Sequence, residues 1–325
     1  MLAYVIRRTL YTIPLVVGVV LLTFLLFEVL FTPELRAARE LGRHADAERM
    51  QEIIKDRGWD KDLFWNEEEP GLRKLTETRF VEHMVRLLAF RFGRSEKTHE
   101  KISDMILRGM VPSLTLTVPI FALGLLVSIC LSLVVAYFRA TFIDLWVVVV
   151  CVAFMSVSVL VYIIGGQYLF AQHMRLFPVY GYAPGIWSLR FLLLPVLIAV
   201  LKGLGGNVRF YRTIFLEEIN KDYVRTARAK GLTERLILLK HVLKNAMVPI
   251  LTRTVLAIPF LFMGSLLLER FFGIPGLGNM TIEAINSGDF QVLSVMVYIG
   301  ALLFALGNLA TDISYTFVDP RIRLR

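Results

Sequence analysis

Residues 222–249 read DYVRTARAKGLTERLILLKHVLKNAMVP. The stretch lies between two apolar segments, which makes it a loop of a membrane protein, but its pattern is that of ordered structure. Asp222 stands where it can cap a short helix, and an acid there suits the positive helix end. Gly231 can take the left-handed conformation that ends that helix. Thr233 can cap a second helix with Glu234 in its first turn. Leu236, Leu239, Leu243 and Ala246 then fall on one face at spacings of three and four, with Lys240 and Lys244 on another. Pro249 marks the start of the next apolar run. The expectation is a helix, a glycine turn and a helix, held at a membrane surface. From Lys221 to Lys244 there are seven Lys or Arg against two acids. Basic loops are common on the cytosolic side of membranes. A glycine-hinged, structured loop suggests in addition a rigid lever that a cytosolic partner grips.

The whole chain is consistent with a membrane setting. Its 325 residues are 56% hydrophobic, with a mean hydropathy of +0.62. Uncharged runs of about 20 residues or more point to membrane spans. The net charge is +9, yet residues 32–110 contribute 16 basic and 16 acidic side chains and so none of the excess. All of it lies beside the apolar segments, which points to membrane orientation and gives no reason to invoke nucleic acid. Cys130 and Cys151 both fall inside apolar runs, so neither a disulfide nor a metal framework is expected.

Taken in order, Arg7 and Arg8 precede an apolar run from Leu10 to Phe31, broken only by Glu28. It is longer than a signal-peptide core and has no small-residue cleavage site after it, so residues 1–31 are expected to form a first span. Residues 32–110 are polar and of mixed charge. ELRAARELGRHADAERMQEIIKDRG and TETRFVEHMVRLLAFRFG both have helical patterns, with Trp59, Phe64 and Trp65 available for a small core between them. A helical extracytoplasmic subdomain is expected. Residues 111–325 then hold five more spans: Pro112–Tyr137, Leu145–Phe170, one beginning at Phe191, Val248–Leu268 and Gln291–Thr311. The fourth is ambiguous. Phe191 to Leu201 rises only about 16 Å, short of a hydrocarbon core of roughly 30 Å. It must continue through GLGGNVRFY, which puts Lys202 and Arg209 at membrane depth beside Gly203, Gly205 and Gly206, small residues that allow close helix contact. Six spans put both termini on one side. The N-terminus, the turn at Arg139, the loop 215–247 and the tail with Arg321, Arg323 and Arg325 share that side, and their positive charge makes it the cytosol. The fold class expected is thus an all-α integral membrane protein of six transmembrane helices, with a small helical insertion after the first.

YVRTARAKGL followed by LLKHVLKNAMVP resembles the cytoplasmic loop of permease subunits from binding-protein-dependent ABC importers of the oligopeptide/dipeptide type. The general motif of such permeases begins Glu-Ala-Ala with a glycine three residues on. This chain has Arg225-Thr226-Ala227 and then Gly231, and its closing proline is later; both departures are those of the peptide branch. The resemblance extends through RRTLYTIP at the start, FGRS (92–95), PGLG (275–278) and DPRIR (319–323), and is weakest between Thr32 and Arg91. It implies a coupling helix, here Tyr223, Val224, Arg225, Thr226, Ala227, Arg228, Ala229, Lys230, Gly231 and Leu232, that docks on an ATPase. It also implies a second homologous permease, two ABC ATPase subunits that bind the ATP, an extracytoplasmic solute-binding protein, and a location in the bacterial inner membrane. Tyr223, Val224 and Ala227 would make the apolar contact of the first helix. Arg225, Arg228 and Lys230 could pair with acids of an ATPase groove or with anionic lipid, each worth roughly 1 kcal/mol near the surface. ERFFGIPGLG (269–278) corresponds to a region of the family that forms part of the outer gate or of the binding-protein docking face.

No catalytic centre is expected in the chain. It contains no Gly-Lys pair and hence no phosphate loop of the GxxxxGK[ST] kind, no HExxH and no GxSxG. His44, His83, His99, His173 and His241 are scattered. Ionisable residues within spans are candidates for the substrate path because burying them in lipid is costly. These are Glu28, Lys202 and Glu269, although Glu28 and Glu269 also stand where a helix end could simply be solvated and Lys202 where it could snorkel. A stand-alone secondary transporter or channel is the alternative to an importer subunit. It would need mid-span carboxylates or discontinuous helices. A membrane-embedded enzyme would need a nucleophile with its base, or metal ligands, within the spans.

Overall fold

The computed structural model describes residues 2–29, 31–41, 46–56, 58–66 and 73–318. The tail arginines and DPRIR lie outside them, as does His44. The helices in chain order are α1 (Leu2–Phe24, prolonged by a π turn over Leu25–Val29), α2 (Pro33–Leu41), α3 (Ala47–Asp56), α4 (Arg73–Thr76), α5 (Arg79–Leu88), α6 (Ile102–Tyr137), α7 (Phe142–Ser156), α8 (Val159–Gly166, prolonged by a π turn over Gln167–His173), α9 (Ser188–Ile219), α10 (Asp222–Ala229), α11 (Glu234–Leu236, followed by a π turn over Ile237–Val242), α12 (Leu243–Leu261), α13 (Leu266–Phe272), α14 (Leu277–Ser287) and α15 (Phe290–Val318). By length and composition five helical segments could cross a membrane, and α7 with α8 makes a sixth if the bent pair is one span. No strand occurs among the described residues. The chain is therefore the all-α membrane protein that its pattern predicts. It divides into two compact units, residues 1–109 with 280–309, and residues 110–279 with 310–324.

The first unit is organised by buried charge. Glu28, at the end of the first span and only 6% exposed, accepts from Arg36 Nη1 at 2.6 Å and from Arg79 Nη2 at 2.7 Å. Arg36 also pairs with Glu96, and its guanidinium lies 4.1 Å from the centre of the Trp59 ring. Each of these four buried charges thus has a counter-charge, the condition under which burial is tolerated. Residues 92–95, the FGRS stretch, hold the start of α15. The Phe92 carbonyl accepts from Gln291 Nε2 at 3.1 Å, Ser95 Oγ donates to Asp289, and Asp289 Oδ1 accepts from the Val292 amide at 3.1 Å. The expected small core is only partly the observed one. Trp59 is buried, and Phe64 joins Phe24 and Phe80 with ring centres 5.3–5.5 Å apart. Trp65 remains 53% exposed. The first helical stretch is two helices, α2 and α3, on either side of residues 42–45, which lie outside the described set.

In the second unit the third span departs from expectation. The uncharged run that reads as one helix from Leu145 to Phe170 breaks after Ser156, and α7 and α8 meet at 89°. Val157 is extended, and Ser158 caps α8 by accepting from the Leu160 amide at 3.4 Å. The carbonyls freed by the break are met by Lys202 of α9. Its Nζ donates to Val157 O at 2.8 Å, Met155 O at 3.2 Å and Phe154 O at 3.4 Å. The fourth span does continue through the glycines, to Ile219. Of those glycines only Gly205 marks a close crossing, since a Cβ there would overlap the Cys151 carbonyl of α7, whereas Gly206 faces open space. Near the start of α7, Asp144 receives both Arg212 Nε at 2.7 Å and Arg212 Nη2 at 2.8 Å, a forked pair that ties α7 to α9 a second time.

Removing Glu28 leaves two buried guanidinium groups facing each other, a change that costs about 3–5 kcal/mol. Glu28→Ala is expected to lower the unfolding temperature of the purified protein and to expose residues 32–110 to proteolysis. Trp65→Ala, at an exposed position, is expected to do neither.

Candidate functional site

Two features of the second unit carry chemistry: the elbow between α9 and α12, and a cavity flanked by α6, α9 and α12. The elbow begins where α9 ends at Ile219. Lys221 is the N-cap of α10 and makes no side-chain cap bond, so Asp222 occupies the first turn and the expected cap is one residue off. Gly231 has φ +77°, the left-handed turn expected of it. Thr233 is the N-cap of α11, with an extended backbone, but its hydroxyl closes no cap bond.

The buried faces of the elbow differ from expectation. Val224 is 0% and Ala227 5% exposed, packed in this chain's own core with Phe215, Ile219, Ile237, Leu238 and Val242. They are therefore turned inward, against the end of α9 and the second helix of the elbow. In the second helix Leu236 and Leu239 are exposed, and the buried set is Ile237, Leu238, Val242, Ala246 and Ile250. The cause is the π turn over Ile237–Val242. An inserted residue shifts the phase of a 3.6-residue repeat, so a stripe drawn on an ideal helix slides off the true core face. Two polar ties fix the elbow. Glu218, at the end of α9, binds Lys221 Nζ and accepts from Tyr223 Oη at 2.7 Å. Burial, then that bond, push the Tyr223 phenol up to about 12, so it stays a donor. Arg228 closes the glycine turn by donating to Glu234 from Nε at 2.6 Å. Outward on this elbow are, among others, Arg225, Thr226 and Ala229 on α10, its C-cap Lys230, and Leu236 and Leu239 beyond the turn.

At the other end of α12, Glu269 is 0% exposed. Its Oε1 accepts from Ser113 Oγ at 2.8 Å and from the Ser265 amide at 3.0 Å, and its Oε2 accepts from the Asn279 amide at 3.0 Å. Ser113 Oγ in turn accepts from the Leu277 amide at 2.8 Å. Burial raises the Glu269 carboxyl above the usual range, and these hydrogen bonds pull it back. The carboxylate is the peg around which GIPGLG winds. A Cβ on Gly264, Gly276 or Gly278 would overlap it.

The cavity measures about 450 Å³. Its walls are mostly apolar residues of α6, α9 and α12, and among the described residues Arg253 is the only charged one that lines it. Glu28, Lys202 and Glu269 are not among the lining residues: Glu28 is neutralised within the first unit, Lys202 serves the α7–α8 break, and Glu269 serves the glycine turn. The polar groups that do line it include Arg253 and Asn207, whose Oδ1 accepts from Arg253 Nη2 at 3.0 Å. Sequence reasoning passed over this pair. A cation ten residues inside the α12 helix, facing an asparagine in the fourth span, was the available signal.

Residues 128–324 match the family model described as the binding-protein-dependent transport system inner membrane component. The chain is 32% identical over 328 residues to a putative peptide transport system permease protein of Brucella abortus (strain 2308), with 99% of each covered. It is 28% identical over 338 residues to the oligopeptide transport system permease protein AppB of Bacillus subtilis (strain 168), again with 99% of each covered. It is 30% identical over 328 residues to the glutathione transport system permease protein GsiC of Salmonella choleraesuis (strain SC-B67), with 100% of each covered.

The glycine turn makes a direct prediction. Gly276→Ala forces a methyl into the Glu269 carboxylate, an overpacking that costs about 1–3 kcal/mol, and is expected to lower the melting temperature in detergent. Gly206→Ala, in open helical space, is expected to leave it unchanged or raise it.

Proposed function

Because the chain belongs to the binding-protein-dependent transport system inner membrane components, it is a permease subunit of an ABC importer, and we propose that α10 with the Gly231 turn is the element through which separate ATPase subunits work it. The observation that carries this is the elbow's construction. Val224 and Ala227 lock α10 to the end of α9 and the start of α12, and Glu218 and Arg228 hold its two ends. A push on α10 is then transmitted to both helices as a rigid displacement, which is what alternating access by rocking spans requires. The surface left for an ATPase is Arg225, Thr226, Ala229 and Lys230, with Leu236 and Leu239 as its apolar part. Tyr223, Arg228, Gly231 and Leu232 give it shape.

The partners proposed are a second homologous permease, two ABC ATPases and an extracytoplasmic solute-binding protein, in the bacterial inner membrane with both termini cytoplasmic. The division into a first span (1–31), an extracytoplasmic helical subdomain (32–110) and a permease core (111–325) with its coupling loop (215–247) belongs to the same proposal. So does the absence of catalysis by this chain, with ATP bound and hydrolysed by the partners. The cargo proposed is a peptide, in keeping with relatives named for peptide, oligopeptide and glutathione transport.

Two experiments test this. A β-branched side chain at φ +77° costs about 1–3 kcal/mol of backbone strain. Gly231→Val is therefore expected to leave membrane insertion intact but to weaken co-purification with the ATPases or substrate-stimulated hydrolysis. Unchanged values for both would refute the lever, and proton-driven uptake by the isolated chain would favour the stand-alone transporter. Protease added to spheroplasts is expected to cut within 32–110 and spare 222–249; the reverse pattern would invert the proposed orientation.

A further inference from the structure

We propose that Arg253 is an anion-recognition point inside the cavity, and that it receives a carboxylate of the transported solute. The inference rests on the proposal that this permease carries peptides, and adds which group of the cargo the chain recognises.

A guanidinium offers five N–H donors in a fixed plane. Arg253 uses one of them on a neutral acceptor, Asn207 Oδ1, at 3.0 Å. Its guanidinium carbon lies 4.3 Å from the centre of the Phe210 ring and 5.9 Å from that of Tyr211. These contacts orient the group without neutralising it: an amide carbonyl and two aromatic faces carry no charge. No carboxylate pairs with it among the described residues. The contrast within the same unit is plain, since Arg212 has Asp144 and Arg228 has Glu234, while Lys202 is occupied by three carbonyls.

The surroundings favour a solute over solvent as the missing partner. Among the described residues Arg253 is the only charged one lining a cavity of about 450 Å³, a size suited to a small organic ligand. Two of the hydroxyls nearby are already committed. Thr117 donates to the backbone of Ser113 and Leu261, and Thr254 to that of Ile250. An apolar chamber with one oriented cation matches a solute of mixed or apolar body that carries one carboxylate, bound by a forked pair of N–H donors. A peptide's terminal carboxylate has that chemistry.

The test uses the complete transporter in proteoliposomes, supplied with receptor loaded to equal occupancy by a peptide acid or by its C-terminal amide. Wild type, Arg253→Gln and Arg253→Lys are compared, with basal ATPase activity and receptor affinity measured alongside. Loss of a charge-assisted contact corresponds to a drop of about tenfold or more. Arg253→Gln is expected to lose that much uptake of the acid and little of the amide, to keep basal hydrolysis, and to be partly rescued by Arg253→Lys. Equal loss for acid and amide would overturn the proposal, because a guanidinium serving a lipid phosphate, a carboxylate of the second permease or the fold alone does not distinguish them. Full activity of Arg253→Gln on both would also overturn it. Uptake of neither peptide by the wild type would instead sink the peptide cargo itself, and this inference with it.

Discussion

A carbonyl in a bilayer needs a donor, and no water is there to supply one. The second unit depends on how that demand is met at the break in its third span. A helix that turns through 89° strands carbonyls at the break, and the Lys202 ammonium reaches those of Phe154, Met155 and Val157 from the neighbouring helix. A cation also suits the negative end of α7. The lysine that looks most like a misplaced charge is thus what makes a bent span affordable. Gly205 brings α9 close enough to α7 for the reach to succeed. With α7 and α9 joined there, and again through Asp144 and Arg212, α9 is held where it can wall the cavity together with α6 and α12.

The other charges of the helices divide by whether protein or void surrounds them. Glu28 and Glu269 are both wholly engaged, the first by arginines and the second by amides and a hydroxyl. They shape the segments next to the spans. Arg253 differs in being oriented but, among the described residues, without a counter-charge, and it lines the cavity. That difference, more than depth in the helix, separates a structural ion from one free to meet a solute.

Much of this could be read from residues. The apolar runs gave the spans and Gly231 the turn, since each rests on a local rule that tertiary context seldom reverses. The failures have physical causes. Ser158 sits in an uncharged run whose hydropathy is indifferent to a bend, so the break is visible only as a capping residue with Lys202 opposite. The face of the second elbow helix was misjudged because a π turn, which side-chain spacing does not announce, rotated Ile237 and Leu238 inward and left Leu236 and Leu239 outside. Val224 and Ala227 face this chain's own core, which an apolar stripe alone does not announce. The substrate-path candidates were chosen by the cost of their burial, a criterion that ranks Glu28 and Glu269 highly and ignores the partners that remove that cost.

The Glu269 peg has a consequence for how the chain can vary over evolutionary time. Its carboxylate, the Ser113 hydroxyl and the three glycines wound about them occupy one volume and exchange one set of hydrogen bonds. A change at any one of these positions is penalised while the other four stand. Drift through single steps is therefore closed, and these sites, far apart along the chain, are bound to be inherited or replaced as a block.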